Sequence, residues 1–287
     1  MSHDLPHLMQ PETLAALHDV DMLLVHLAEA PAFERAHLPG ARLVEPRDLV
    51  RGTPPAPGAL PEQGRLEALF SSLGYRPDRQ VVVYDDEGGG WAGRFVWIMD
   101  IIGHRRWSYL DGGLPAWHAA GGTLERGAAP APERAPVALK IDPGPIAHLE
   151  DVLAAMEDPA QVIWDVRSAE EYRGEKSGSR RAGHIPGAVN LDWMRLKDPS
   201  RQLRLVADAR ELLAAHGIEP DKRVITHCQT HHRSGLSYLL CRLLGYPDIR
   251  AYAGSWAEWG NRDDTPVVRG PLPGEVQTPG REGGDPA

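Results

Sequence analysis

The stretch HGIEPDKRVITHCQTHHRSGLSYLLCRLLGYPDIRAYAGSWAEW, residues 216–259, decides the fold, because the chain carries a version of it twice. Residues 73–117 read LGYRPDRQVVVYDDEGGGWAGRFVWIMDIIGHRRWSYLDGGLPAW. From Gly93 to Trp117 the copies register at a constant offset of 142, which pairs Gly93 with Gly235, Gly103 with Gly245 and Trp117 with Trp259. Upstream the offset is 143, pairing Pro77 with Pro220 and Asp85 with Cys228, so the first copy's loop is one residue longer. A shorter pair lies ahead of each copy, HLPGA at 37–41 and HIPGA at 184–188. Short apolar runs precede these, Met22–Leu27 and Val162–Arg167, and the second copy adds polar residues around RGEKSGSR at 173–180. Self-similarity at a fixed spacing marks a duplicated unit. One half has since been altered.

Each half reads as alternating strands and helices. Val81–Tyr84 and Val224–Thr226 are short β-branched runs between polar residues, as buried parallel strands are. Leu236, Leu239, Leu240, Leu243 and Leu244 then fall on one helical face, and Gly245 supplies a C-terminal stop. Strand, loop and helix, repeated, predict an α/β fold in which each half is a parallel sheet flanked by helices. Sites in such folds lie at the carboxyl ends of strands, and Cys228 lies at one.

The spacing divides the chain into a first half at 1–125, a Pro- and Ala-rich linker at 126–141, a second half at 142–269, and a Gly/Pro-rich tail at 270–287 expected to be disordered. Gly52–Gly64 reads as a loop inside the first half. At 287 residues, 42% apolar and 25% charged, the chain can bury two ordinary cores. It has no uninterrupted apolar run of membrane-spanning length, and MSHDLPHLMQPETL lacks the basic start and apolar middle of a secretory signal, so a cytoplasmic location is expected. A net charge of −9 argues against a nucleic-acid partner. With two cysteines, Cys228 and Cys241, no disulfide framework is expected, and the reactivity of each thiol is the question.

Cys228 stands at a strand end with Arg233 five residues later at a helix start. A loop curled between them aims backbone N–H groups inward, and these donors, the helix dipole and Arg233 all favour an anion. A thiolate is the reactive form, and a persulfide carries negative charge on its outer sulfur, so one setting serves both. An inert buried thiol would need no such loop. Cys241, among Leu239, Leu240 and Leu243, reads as that inert packed kind. His227, His231 and His232 invite a metal, but ligands confined to six residues of one tight loop do not build a four-ligand site, so none is expected. His231 and His232 are expected to lend backbone donors, with their side chains at the rim. Asp165 and Arg167 follow a strand and are expected to support the loop through a salt bridge, while Trp256, and less so Trp193 and Trp259, are candidate pocket walls. Asp85 takes the place of Cys228 in the first half, which therefore lacks a thiol; Asp85 is expected to shape one wall of the cleft.

The HIPGA element, the Cys-x4-Arg loop and GSWAEWGN at 254–261 together resemble the rhodanese family, over about Leu14 to Val268. The loop CQTHHR is similar to that of a bacterial thiosulfate sulfurtransferase group. The resemblance implies two tandem rhodanese-like domains, the first inactive and the second catalytic. It implies a ping-pong reaction in which Cys228 takes the outer sulfur of thiosulfate and passes it to cyanide or a thiol. Gln229, Thr230, His231, His232, Arg233 and Ser234 would bind the donor, and no cofactor is implied. A protein sulfur acceptor, served by a carrier rather than an enzyme, is the alternative. Vertebrate rhodanese loops resemble C-R-K-G-V-T, with cations that Gln229 and Thr230 do not supply, so positive charge here falls to Arg233, helped by His231 or His232. The mercaptopyruvate branch resembles C-G-S-G-V-T, which is absent, and phosphatases sharing the single-domain fold carry HC-x5-R, one residue longer than the loop here.

Overall fold

A computed structural model describes residues 5–18, 20–129 and 134–270. Two five-stranded sheets share one strand order. In the first, Leu8–Met9, Trp107–Leu110, Gln80–Asp85, Met22–Leu27 and Arg42–Val44 lie side by side, all parallel. In the second, Ile146–Ala147, Ile249–Tyr252, Arg223–His227, Gln161–Asp165 and Val189–Asn190 do the same. The central strand of each leads into the repeated loop. Val81, Val82 and Val83 are wholly buried, as a parallel strand covered on both faces requires.

The helices after these loops, Gly90–Ile101 and Arg233–Leu243, make the junction between the halves. Gly90–Ile101 is buried along nearly its whole length, since its own sheet covers one side and the second helix the other. The crossing is close because Gly93 meets Gly235: a Cβ on Gly93 would stand 2.2 Å from the Gly235 carbonyl oxygen. One hydrophobic core consequently runs through both halves and includes Cys228 and Cys241. The predicted helix stop holds, with Gly245 at φ 77°.

The HxPGA elements repeat in detail. His37 and His184 each make a lone antiparallel bridge, to Glu125 and Val268, and each hydrogen-bonds through Nδ1 to the carbonyl of the aromatic residue it stacks on, Phe33 or Tyr172. The described part of the segment expected to be a linker forms no helix or strand, and it is fastened to the first half. Ser71 Oγ donates to the Ala135 carbonyl, the Leu139 N–H to Glu67, and the Asp142 N–H to the Ile101 carbonyl. Its residues 130–133, and the tail from 271, lie outside the described residues. Among the described residues no helix is long and apolar enough to cross a membrane.

Candidate active site

Cys228 follows the central strand Arg223–His227 and is 1% exposed. Its own backbone is held from behind by the Gly254–Trp256 turn. The Cys228 N–H donates to Ser255 Oγ at 3.3 Å, and the Trp256 and Ala257 N–H groups donate to the Cys228 and Gln229 carbonyls at 2.9 Å. The loop then turns through His231, at φ 57°, a left-handed conformation costly for a non-glycine residue. The helix begins at Arg233. Burial pushes the Cys228 thiol up, but the Arg233 charge, the Ser234 hydroxyl and N–H, and His232 outweigh it and leave it below the ordinary thiol range. Cys241, in apolar surroundings, is pushed far up by burial. The surroundings favour the thiolate at Cys228 and the neutral thiol at Cys241.

The side chains around the loop fall in places the sequence only partly indicates. Arg233 is fixed by Glu171, which accepts from both terminal nitrogens at 2.6 and 2.9 Å. Glu171 also caps the helix that starts after Ser168, a Ser-x-x-Glu signature that marks it in the sequence. Asp165 and Arg167 form the expected salt bridge, fully buried at 2.6 Å. His227 is buried beside Asp165, and burial holds it below its usual range.

Several expectations are corrected. His231 is not at the rim: it is wholly buried, hydrogen-bonded to Ser234 Oγ at 2.7 Å and set edge-on to Trp97. Burial and Arg94 hold its imidazole far below the usual range, so it adds no positive charge. Trp256 is no pocket wall. Its indole is buried under the Arg167 guanidinium, 4.3 Å away, and its backbone N–H holds the loop. Trp259 is equally buried. Gln229 leans away, its amide donating to Ser179 Oγ, so part of the extra polar segment at 173–180 buttresses the loop. Partly exposed here are Gln229, Thr230, His232 and Arg233 of the loop, with Trp193 and Trp91 beside it. His232 stacks on Trp91 and pairs with Glu87, both from the first half. Trp193 carries Lys197 Nζ over its face at 3.5 Å.

Asp85 also departs from expectation. It is 0% exposed and lines no cleft. Its carboxylate turns into its own loop and accepts from the N–H groups of Glu87, Gly88, Gly89 and Ala92 at 2.8–3.2 Å. Burial and Glu87 push this carboxyl up, and the amides oppose them. A separate cavity of about 480 Å³ touches both halves, at Arg51, Trp97, His148 and Tyr252 among others, and none of residues 228–233 lines it. Among the described residues no group of three His, Cys, Asp or Glu side chains converges as metal ligands would.

What remains is a thiolate-favouring cysteine beside the Ser234 hydroxyl and N–H and the fixed Arg233 cation, suited to nucleophilic attack and to holding an anionic adduct. Comparison with known proteins agrees with this chemistry. A rhodanese-like domain is recognised twice, over residues 9–120 and 148–262. The chain is 50% identical over 265 residues to a thiosulfate sulfurtransferase of Pseudomonas aeruginosa, covering 92% of this chain and 97% of that one. It is 51% identical over 264 residues to a thiosulfate sulfurtransferase of Azotobacter vinelandii, with the same coverage. The crystal structure of YnjE superposes with a TM-score of 0.83 at 24% identity, covering 92% of this chain and 68% of that chain, a likeness of fold. With its duplicated sheets, its loop and these relatives, the chain belongs to the rhodanese family.

Proposed function

We propose that the protein is a thiosulfate sulfurtransferase that works through a persulfide on Cys228. The Cys228 thiolate attacks the outer sulfur of thiosulfate; a new S–S bond forms as the old one breaks, and sulfite leaves with its electron pair. Cyanide or a thiolate then attacks the outer sulfur of the persulfide, leaving as thiocyanate or a new persulfide and restoring the thiolate. No electrons are gained or lost overall. The observation that carries this is the placement of Cys228 at the end of the central strand, in a loop closed by Arg233, whose guanidinium Glu171 holds in place; Arg233 and Ser234 favour the thiolate there.

In this reading Arg233, Ser234 and the backbone amides of Thr230, His231 and His232 receive the anion, while Gln229 acts through its backbone. Asp165 and Arg167 support the loop, and Trp256 does so by its main chain. The first half, with Asp85 where the thiol would be, is catalytically silent. The second half acts within the cytoplasm on a small sulfur donor and acceptor, and a protein thiol is an acceptor of the same chemistry. Relatives named for thiosulfate favour that donor over mercaptopyruvate.

Intact-mass measurement after incubation with thiosulfate, mercaptopyruvate and a low-molecular-weight persulfide, each in turn, tests it. Gain of one sulfur from thiosulfate, with steady-state thiocyanate release on adding cyanide, is the expected result. Loading from the persulfide alone, without turnover, would indicate the carrier instead.

A further inference from the structure

Arg94 lies in the half that has no thiol, yet it ends beneath the loop that has one. It is wholly buried, and among the described residues no carboxylate pairs with it. Its Nε and Nη2 donate to the Leu49 carbonyl at 3.0 and 2.6 Å, and Nη2 also donates to Gly58 at 2.7 Å. Its Nη1 crosses to the second half and donates to the His231 carbonyl at 3.2 Å, with the Thr230 carbonyl at 3.5 Å. Glycines clear the way: a Cβ on Gly58 would stand 2.3 Å from the Thr230 oxygen, and one on Gly235 would stand 2.5 Å from the Arg94 nitrogen. At the repeat offset of 142 its counterpart is Leu236, so the first-half loop has no equivalent guanidinium.

We propose that Arg94 is a positioning residue for the sulfur-carrying loop, holding the Thr230 and His231 carbonyls on the outer side so that the next two N–H groups face the Cys228 side. In a trans peptide the carbonyl and N–H point opposite ways, so fixing two carbonyls fixes the N–H groups of His231 and His232. The left-handed turn at His231 needs such an anchor, since a residue held there persists only when its surroundings determine it. A buried cation facing only carbonyls is expensive unless an anion lies close by. Burial pulls Arg94 down to about 9, and Cys228 opposes the fall; at neutral pH the guanidinium remains charged. The other charged or titratable groups facing Cys228 are Arg233, His232, and His227 with its partners Asp165 and Arg167; His227 holds the Cys228 carbonyl, and among the described residues none of these groups grips the Thr230 or His231 carbonyl.

The proposal rests on the sulfur-transfer reading, and its test separates the two. The pH profile of Cys228 alkylation by iodoacetamide is measured in the full chain for the parent, Arg94→Lys and Arg94→Gln, with melting curves and sulfur loading alongside. Both variants should raise the apparent Cys228 pKa, cutting alkylation at neutral pH by about tenfold for each pKa unit, with Lys between Gln and the parent. Folded variants that keep the parent profile overturn the proposal. Should Arg94→Gln fail to fold, Gly58→Ala approaches from the other side: it displaces the Thr230 carbonyl with Arg94 intact, and an unchanged profile there overturns the proposal equally. Alkylation uses no sulfur donor. A parent that takes no sulfur but shows an Arg94-dependent profile defeats the functional reading alone, and a parent that loads sulfur with an Arg94-independent profile defeats this inference alone.

Discussion

The loops after the two central strands are built alike and filled differently. In the first, the Asp85 carboxylate occupies a ring of four N–H donors permanently. In the second, the equivalent place holds a thiol beside Arg233 and Ser234. Both loops are therefore anion holders, as a strand-to-helix turn tends to be. The difference lies in whether the anion belongs to the chain or arrives with a reaction. The first loop adds acid rather than base: Glu87 raises Asp85, and the buried Tyr109 hydroxyl lies near it. Only the second sets an arginine, Arg233, at the head of the helix that follows.

The largest test of that contrast removes the thiol. Cys228→Ser should lose all sulfur loading by intact mass while melting like the parent. Adding Asp85→Cys to it should not restore loading, because no arginine heads the helix that follows and Glu87 adds like charge beside that position; a sulfur gained there would break the comparison. Next, Arg233→Ala should slow loading by about 10²–10³-fold, the usual effect of removing one fixed donor to developing charge. It should also destabilise the fold by about 1–3 kcal/mol, since Glu171 is left buried and unpaired. Burial pushes the Glu171 carboxyl up, but Arg233 outweighs it and holds it below the usual range. The pair's stabilisation is therefore present at neutral pH and lost as pH falls through that lowered value, and urea titrations of Glu171→Gln should show a flatter acid limb.

Asp85→Asn turns an N–H donor toward the amides and should cost about 1–3 kcal/mol in urea unfolding without altering turnover at Cys228. Turnover that falls with stability would mean the first loop is more than a filled holder. Smallest is Cys241→Ala, which should cost about 1 kcal/mol as a small core truncation and leave thiocyanate release intact.

The sheets, the helix from Arg233 and the cysteine loop are legible in the sequence because each rests on local spacing: β-branched runs, leucines on one face, a cysteine five residues before an arginine. The partners of that loop are not, because they join positions far apart in the chain. Arg94 contacts His231 from another half, and Glu171 reaches Arg233 from another helix. Faint signals exist for both, a lone charge inside the apolar run WAGRFVWIM and the Ser168-x-x-Glu171 cap. Burial of a given ring is beyond local reading. His231 and His232 are adjacent and identical, yet one lies in the core and the other is partly exposed and stacks on Trp91. Gly58 reads in the sequence as part of a loop, and only the packing reveals that it abuts Thr230.

The contact of Gly93 with Gly235 has a consequence for assembly. These residues are equivalents in the repeat, and a residue meeting its own equivalent is the mark of an isologous contact about a two-fold axis. The chain is thus arranged as a dimer of its own halves, joined end to end. Covalent joining makes that association intramolecular, with an effective concentration set by the linker. Midpoints of thermal unfolding should accordingly be independent of protein concentration, unlike those of an unlinked pair. Self-complementary faces can also be satisfied by another molecule's half, so conditions that open the junction at high concentration should yield half-exchanged dimers.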